Sequence, residues 1–414
     1  MRSNAALHRI IATMIALATP AVAAAQTTWA TRIDAVRNDA KLHAGPFYAK
    51  PQLLLKEVGT DSNVFNEAGE QKSDFTMTVA PMFEIWVPVA RRALLKTTTG
   101  ADFVYYAQYE AERSIDPQLT LRGEGYLSRV MLFGETAYLN TRQRPNYEID
   151  VRSRHVEDRV TAGADVAISP RLSVEVAVRQ LKVEYDADEM FNGTALQRTL
   201  NRDTDGVHVA VRHRLTPLTT IAARVERLRD RFEFSPVRNS TSQRIMPGVE
   251  FQPQALIKGT AWVGYRKFVP EAPNLLPDFQ GLVADLSLSY TLLSATTFGV
   301  SYRRDLTYSY EEFQPFFIDG SVGASIRRAL GRRFDVLVSA DRHRYEYQNV
   351  VPLDGPALPD RLDTTWRYAG SLGYRLGTDG RVGFGLSYLE RTSNTRVFRD
   401  YDKLHIGCSM TYGF

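Results

Sequence analysis

The sequence predicts an all-β fold, a transmembrane antiparallel up-and-down β-barrel of about 18 strands. Three observations predict it: a repeated alternation of apolar and polar residues, short turns that alternate with long loops, and an aromatic final strand. The composition agrees, because the 414 residues include 20 Tyr and 20 Phe, which favour strands. A polytopic helical membrane protein is excluded, because it would need several apolar stretches of about 20 residues.

The alternation has the two-residue period of a strand with two different faces. Val174, Val176 and Val178 alternate with polar or small residues, and the same period returns in residues 207–212 and 366–376. Helical spacing fits these windows less well, so each stretch is interpreted as a strand with one apolar face.

Strand length distinguishes a membrane barrel from a soluble β-sandwich or propeller. Residues 76–87 and 336–347 each keep the pattern for 12 residues, whereas strands of soluble proteins average about 5 to 6 residues. A tilted strand needs about 9 to 11 residues to cross a bilayer. Since lipid offers no hydrogen bonds to a backbone, such strands must form a closed sheet.

Short and long connections alternate along the chain, as they do in outer-membrane barrels. Short turns are predicted at 88–91, 128–129, 169–171, 216–218, 252–254, 294–295, 330–332 and 378–380, and long loops at 186–202, 233–243, 270–277, 348–363 and 392–399. An even strand number places both chain ends on the short-turn, periplasmic side. Sixteen strands is the alternative, if the stretch after Tyr48 or residues 244–251 is not a strand.

Aromatic residues near the strand ends predict two belts at the levels of the lipid headgroups. Tyr138, Tyr185, Phe232, Phe268, Tyr308 and Tyr347 precede long loops, and Trp86, Tyr126, Phe251, Phe334 and Phe384 stand near short turns.

Three segments are predicted along the chain. Residues 1–25 have the layout of a secretory signal peptide: a basic start, an apolar run too short for a comfortable membrane span, and a small-residue cleavage site. Residues 26–47 form a short periplasmic or plug segment, in which Trp29, Ile33 and Val36 have helical spacing. Residues 48–414 form the barrel, which locates the protein in the bacterial outer membrane.

Several classes of site are not predicted. The single cysteine, Cys408, excludes a disulfide framework and a zinc site with several thiolates. The net charge of +4 is too small for this length to indicate a nucleic-acid-binding surface. No catalytic motif is present, and neither a cofactor nor a metal site is predicted. His343 with Asp341, and His208 with Asp203 and Asp205, could act as acid–base pairs, but no nucleophile accompanies them.

The more polar face of the strands supplies candidate pore-lining residues. They are Arg179, Arg212, Arg224, Arg266, Arg303, Arg327, Arg375, Glu175, Glu226, Asp285, Asp335 and Asp341. A wet lumen tolerates charges that lipid excludes. An excess of arginine favours anionic or hydroxyl-rich solutes, because guanidinium groups pair well with carboxylates. The alternative is that these charges only solvate the lumen and pair with one another. Arg342 is the exception, since it shares its strand face with Val338 and Ala340.

The last strand resembles the C-terminal signature of bacterial outer-membrane barrels. Met410, Tyr412 and Phe414 stand at alternate positions at the chain end, and apolar residues precede them at the same spacing. The resemblance implies that the barrel-assembly machinery captures this strand by pairing with its edge. Cys408 shares the lipid face and is interpreted as a packing residue.

A second resemblance lies near the start of the barrel. Pro51-Gln52-Leu53 leads to Asp61-Ser62-Asn63-Val64-Phe65, which resembles the opening of the β-barrel porin 2 family, although Thr60 stands where an aromatic residue is more usual. The resemblance implies an outer-membrane barrel that accompanies exopolysaccharide production, with polysaccharide or periplasmic export components as partners beside the membrane lipid.

Three functions follow as hypotheses. The first is an outer-membrane channel for passage or export of polysaccharide or other polar solutes, since a barrel of about 18 strands is wide enough for an aqueous channel. The second is a non-conducting structural or surface-interaction barrel. The third and weakest is an outer-membrane enzyme that modifies lipid or sugar. The polysaccharide assignment rests on family analogy.

Overall fold

The computed structural model describes residues 24–350 and 358–413 and shows a closed antiparallel barrel of 18 strands, as the sequence predicts. The strands are β1 Phe47–Asp61, β2 Asp74–Val89, β3 Ala93–Tyr106, β4 Ser114–Tyr126, β5 Val130–Gln143, β6 Ser153–Ala167, β7 Leu172–Tyr185, β8 Arg202–Thr216, β9 Thr219–Phe232, β10 Ser240–Phe251, β11 Ile257–Pro270, β12 Phe279–Leu292, β13 Thr296–Tyr308, β14 Phe316–Leu330, β15 Phe334–Gln348, β16 Leu362–Leu376, β17 Gly380–Ser393 and β18 Tyr401–Gly413. The alternative of 16 strands required that the stretch after Tyr48 or residues 244–251 not form a strand. Both stretches are strands, β1 and β10.

Smaller elements lie before the barrel and in its loops. Helix α1 spans Ala24–Asp39, and the short strand Leu42–Ala44 pairs with the start of β1. The loop between β7 and β8 holds two two-residue strands, Met190–Phe191 and Thr194–Ala195, and helix α2, Leu196–Leu200. Single 3₁₀ turns occur at Glu110–Glu112, Pro236–Arg238 and Val397–Arg399. No helix within residues 24–350 and 358–413 is long and apolar enough to cross a membrane.

The outer face of the barrel carries a continuous apolar band. Val209, Val225, Ile245, Tyr265 and Leu282 face one another in register across five neighbouring strands. Their side chains are between 40% and 66% exposed. A row of large apolar residues exposed in this way suits contact with lipid rather than water.

The barrel closes where β1 pairs with β18. The register runs from Gln52↔Gly413 to Asp61↔His405, with a bulge beside Glu57, whose φ is 51°. Gly59 lies in this seam, and a Cβ atom added there would stand 2.1 Å from the backbone oxygen of Ile406. The close approach of the first and last strands therefore requires glycine at position 59.

We expect the substitution Gly59→Val to prevent closure of the seam, because the side chain would collide with the backbone of β18. The measurement is the mobility of the unheated protein on an SDS gel, where a closed barrel migrates differently from the unfolded chain. Gly125→Val is the matched control, because an added Cβ at Gly125 on β4 meets no atom within 4 Å. Normal closure of G59V would contradict the steric role of the glycine.

The two ends of the barrel differ. Long loops lie at one end, whereas short turns, the start of β1 and the end of β18 lie at the other. The periplasmic position of the short-turn end stays a prediction. Helix α1 packs at this end, where Val36 is buried against Trp86, Leu94 and Tyr126. The predicted signal peptide, residues 1–25, lies outside the described residues except for its last two.

β13 and β14 lean into the barrel at their long-loop end. β12 pairs with β13 only as far as Ala284↔Arg304, although both strands continue beyond these residues. The pairing of β13 with β14 reaches Tyr308↔Phe316. Phe316 then packs against Phe268 of β11, with 5.0 Å between the ring centroids. The end of this hairpin has therefore left the wall and covers the inner side of the neighbouring strands.

Candidate functional site

The inner face of the barrel is identified by side chains that meet across non-neighbouring strands. Asp305 on β13 accepts hydrogen bonds from Nη1 of Arg244 on β10 and from Nη1 of Arg266 on β11, each at 2.6 Å. In a closed barrel, side chains of strands this far apart can meet only on the concave side of the sheet. The face that carries these three residues is therefore the inner one.

Arginine and carboxylate side chains alternate along this part of the inner face. Glu226 on β9 accepts hydrogen bonds from Nη2 of Arg179 at 2.9 Å and from Nε of Arg244 at 3.0 Å. Nearer the short turns, Glu175 on β7 accepts a hydrogen bond from Nη1 of Arg212 on β8 at 2.9 Å. Each pair joins two strands and neutralises charge on the wall.

Strand register places all twelve predicted pore-lining residues on this inner face. Glu226 faces Arg244, which faces Arg266, and the two-residue period extends this face through the remaining strands. The twelve are Arg179, Arg212, Arg224, Arg266, Arg303, Arg327, Arg375, Glu175, Glu226, Asp285, Asp335 and Asp341. That they line a path for solutes stays a prediction.

Some of these arginines are paired and others are not. Among residues 24–350 and 358–413, four of them have no carboxylate partner within 4.0 Å: Arg224, Arg303, Arg327 and Arg375. Arg224 lies over the ring of Trp262 instead, 4.5 Å from the centroid. Two carboxylates of the same twelve, Asp285 and Asp341, also lack an ion-pair partner among the described residues, so the unpaired charges of this set leave an excess of two positive charges (four minus two).

Seven charged residues form a network at the long-loop end, here called the long-loop cluster: Glu148, Asp150, Glu311, Arg361, Asp363, Arg391 and Arg399. One oxygen of Asp363 lies 2.7 Å from Nη2 of both Arg361 and Arg391, and these three side chains are at most 1% exposed. Arg399 Nη2 lies 2.7 Å from Asp150 Oδ2. Because the members come from four loops and the strands beside them, the network joins those loops into one unit.

The long-loop cluster spans the mouth of the barrel. Glu148 lies between β5 and β6, and its Oε1 accepts a hydrogen bond from the hydroxyl of Ser309, between β13 and β14, at 2.6 Å. These two loops are separated by eight of the 18 strands, so they stand almost opposite each other. Beside this contact, Ile149, Phe191 and Tyr310 form a buried apolar cluster. Packed loops therefore cross the long-loop end.

Burial gives Glu148 an unusual acidity. Its side chain is fully buried, and its Oε2 has no hydrogen-bond partner among the described residues. Burial raises the pKa of Glu148 to about 7, although the Ser309 hydroxyl and the charges of Arg361 and Arg399 act in the opposite direction. The carboxyl therefore changes its charge near neutral pH in the middle of the mouth.

The family model described as "Putative beta-barrel porin 2" matches residues 40–414 of this sequence. The chain belongs to this family. It is accordingly a porin-like outer-membrane β-barrel, and the sequence resemblance seen at residues 51–65 is confirmed. No curated protein matches the sequence.

This β-barrel porin 2 member is similar to several solved structures, and one of them, a porin, has the same fold. A BenF-like porin from Pseudomonas fluorescens Pf-5 is 12% identical and superposes with a TM-score of 0.52, and the match covers 88% of this chain and 98% of that one. Pseudomonas aeruginosa OpdQ is 10% identical with a TM-score of 0.48, covering 89% and 97%. The siderophore receptor PirA from Pseudomonas aeruginosa is 9% identical with a TM-score of 0.42, covering 90% and 81%.

The predicted aromatic belt at the long-loop end is wrong for most of its members. In this family member Tyr185, Phe232, Phe268 and Tyr347 are buried, and the ring of Tyr308 packs against those of Phe232 and Phe268. They fill the inner side of the barrel because the leaning hairpin and the loops give them partners there. Each of the four buried residues also has the parity of an inner-face charge on its own strand, as Phe268 has that of Arg266. The two-residue period therefore already indicates that they point inwards.

The histidine pairings also differ from those expected. His208 Nε2 lies 2.7 Å from Oε1 of Glu175, whereas Asp205 lies on the outer face and pairs with Arg231. His343 Nδ1 lies 3.6 Å from Asp319 on the neighbouring strand. Each histidine thus has a carboxylate partner other than the one its position in the sequence suggested.

A cavity of about 400 Å³ lies inside this porin-like barrel beneath the mouth. Arg144 and Tyr147 of the loop between β5 and β6 line one side of it, and Asp61, Arg367 and Lys403 line others. Small residues form the wall on β16 to β18: Ala369, Ser371, Gly385, Ser387, Gly407 and Ser409. This wall leaves space that long side chains take up elsewhere in the barrel.

Several residues of the inner face were not among the predicted pore-lining residues. Arg244, Asp305 and Arg381 all make inner-face ion pairs, and Arg381 Nη2 lies 2.7 Å from Asp335. Their position in the two-residue period could have identified them. Asp305 shares parity with the predicted Arg303, and Arg244 and Arg381 alternate with the apolar residues of the opposite face of their strands. The loop members of the long-loop cluster follow no such period and give no comparable signal.

Proposed function

We propose that this barrel is a channel for polar solutes, with polysaccharide as its solute class and the long-loop cluster as its constriction. The observation that carries the proposal is the polar cavity beneath the mouth, where a wall of small residues faces charged side chains. Such a surface can form hydrogen bonds with hydroxyl groups at many positions but has no single deep binding pocket. Weak binding at many positions suits a solute that passes through the channel.

The pairing of the inner-face charges supports hydroxyl-rich solutes over strongly charged ones. Arg179, Arg212 and Arg266 each have a carboxylate partner within 3 Å. A paired arginine keeps donor capacity for a sugar hydroxyl but attracts a free anion less than an unpaired one. Positive charge without an ion-pair partner remains at Arg327 and Arg375, so acidic sugars also fit this interior.

The long-loop cluster supports the alternative function, a non-conducting barrel that acts through its surface. Four loops are joined by buried ion pairs across the mouth, and the apolar residues beside them leave a firmly packed end. The two functions differ in one measurable property, namely whether current passes through the barrel.

We expect single channels in planar bilayers, with a several-fold larger conductance after residues 145–151 are replaced by a short glycine linker. This segment supplies Glu148, Ile149 and Asp150 to the mouth, so its removal widens the constriction. Replacement of residues 272–275, between β11 and β12, is the matched control, because they contribute nothing to the long-loop cluster.

Three outcomes separate the functions. Current that neutral and acidic oligosaccharides block supports the proposed channel and its solute class. Current that neither sugar blocks would contradict the polysaccharide part and leave a general porin. An absence of current above leak in both the wild type and the loop variant would favour the non-conducting barrel.

A further inference from the structure

The outer surface has a shallow depression where β13 and β14 lean inwards. It measures about 210 Å³ and lies between β13, β14 and β15. Gly320 forms part of its floor, and an added Cβ there would meet only the backbone oxygen of Arg344, at 3.8 Å. The depression thus follows from two features of the fold, the lean of the hairpin and the lack of a side chain at position 320.

Three arginines surround this depression, here called the outer arginine site: Arg304, Arg342 and Arg344. One carboxylate accompanies them. Glu346 lies 3.1 Å from Nη2 of Arg344 and 4.0 Å from Nη2 of Arg304. With three positive side chains and one negative side chain, the site keeps a net charge of about +2 at neutral pH.

Arg342 is held in position by an aromatic ring. Its guanidinium carbon lies 5.2 Å from the centroid of Trp366 on β16. Its Nε atom is buried and has no hydrogen-bond partner among the described residues. The guanidinium group is therefore oriented by stacking, and since Arg342 forms no ion pair among the described residues, its Nη groups keep donor capacity for a ligand.

The position of the site relative to the apolar band identifies its surroundings. Arg342 stands in register with Val322 and Trp366, and the row nearer the short turns contains Val300 and Tyr368. These four apolar residues are between 36% and 54% exposed. The next row toward the long loops contains Arg304 and Arg344. The arginines therefore begin where the apolar surface ends, which is the level of the lipid headgroups.

Two other outward-facing arginines of the same end differ, because a carboxylate neutralises each of them, whereas Arg227 and Lys267 have no ion-pair partner among the described residues. Arg229 pairs with Glu271 at 3.0 Å, and Arg231 pairs with Asp205 at 2.5 Å. The outer arginine site combines unbalanced positive charge, a concave surface and an adjoining apolar surface. Acyl chains suit the apolar surface, and phosphate oxygens suit the guanidinium groups.

We propose that the depression between β13 and β15 binds the anionic phosphate headgroup of a membrane lipid through Arg304, Arg342 and Arg344. The acyl chains of that lipid lie against Val322, Trp366 and their apolar neighbours. This site is on the outside of the barrel and is independent of any conduction through its lumen.

Quenching of Trp366 fluorescence tests the proposal. The protein is reconstituted in vesicles that contain, at equal mole fraction, either brominated phosphatidic acid or brominated phosphatidylcholine. The signal of Trp366 is the part of the quenching that is lost in Trp366→Phe. We expect a preference for phosphatidic acid of about fivefold or more, the effect of one basic side chain near a lipid phosphate.

Two variants, one that removes charge and one that fills the depression, test whether the preference for phosphatidic acid arises at this site. Arg304→Gln with Arg344→Gln removes charge and keeps Arg342 stacked on the tryptophan, and Gly320→Leu fills the depression without changing charge. Both should abolish the preference. Arg227→Gln with Lys267→Gln is the matched control, because it removes two outward-facing positive charges on β9 and β11 and should leave the preference intact. Mobility of unheated protein on SDS gels verifies that each variant folds.

Each of the following results would overturn the proposed lipid site. Both lipids carry a phosphate, but the choline group of phosphatidylcholine cancels its charge. Equal quenching by the two lipids would therefore show no selectivity for a phosphate with net negative charge. A preference that survives R304Q/R344Q would place the binding site elsewhere. Loss of the preference in the control variant shows an effect of total charge rather than of this depression. Loss on addition of excess inorganic phosphate shows a site for a soluble anion instead of a lipid headgroup.

Discussion

Replacing Asp363 by alanine is expected to lower the free energy of unfolding by about 3–5 kcal/mol, because it leaves two arginines buried without their shared partner. Arg361 and Arg391 each contact Asp363 at 2.7 Å, and all three side chains are at most 1% exposed. The hydroxyl of Tyr347 also donates to this carboxylate, at 3.2 Å. Unfolding by urea in detergent micelles measures the change.

A matched control separates burial from charge. Asp205→Ala removes an equally short ion pair with Arg231, but both of those side chains are 45% exposed. Exposed pairs contribute about 0–1 kcal/mol, so D205A should remain close to the wild type. If D363A were as stable as D205A, the long-loop cluster would not hold the mouth together.

Glu148→Gln is expected to stabilise the protein at alkaline pH and to leave it unchanged near pH 4.5. In the unfolded chain this carboxyl loses its proton near pH 4.5, whereas burial raises the pKa of Glu148 in the folded protein to about 7. Between these values the folded state binds more protons than the unfolded state, so the contribution of Glu148 to stability falls as pH rises. Above pH 7 the loss is complete and is on the order of 3 kcal/mol.

The measurement is the free energy of unfolding of E148Q minus that of the wild type, across pH 4.5 to 8. Glutamine keeps the shape of the neutral acid, so this difference should grow from about zero to a few kcal/mol in favour of the variant. Groups facing Glu148 include Ser309, Arg361, Arg399 and Glu311. Glu67→Gln is the control, since it changes an exposed glutamate of another long loop. A difference that does not vary with pH would contradict the raised pKa.

The strands and turns were predictable because their signals are local. The predicted loop at 186–202 corresponds to the observed connection between β7 and β8, and the turn at 169–171 lies in the one between β6 and β7. The two-residue period identifies the lipid face and the inner face together, since one follows from the other. For the same reason the twelve chosen residues share one face of the sheet.

The packing of loops across the mouth could not be predicted in this way. Glu148 and Ser309 are 161 positions apart and meet only because two loops lean toward each other. The two-residue period indicates that Phe268 and Tyr347 point inwards, yet the partners that bury them are supplied by the lean of β13 and β14. Periodicity states which way a side chain points from its strand, but it does not state where the strand itself bends.

The seam between β1 and β18 has a consequence for how the protein is made. Asp61 and His405 face each other across it, although 344 positions separate them (405 − 61). The entropy lost on joining ends of a loop rises with its length, and contacts so distant in sequence form slowly. Until that last pairing forms, both edge strands expose backbone hydrogen-bonding groups that other chains could capture. We therefore expect the open sheet to be prone to aggregation until the final strand pairs with the first.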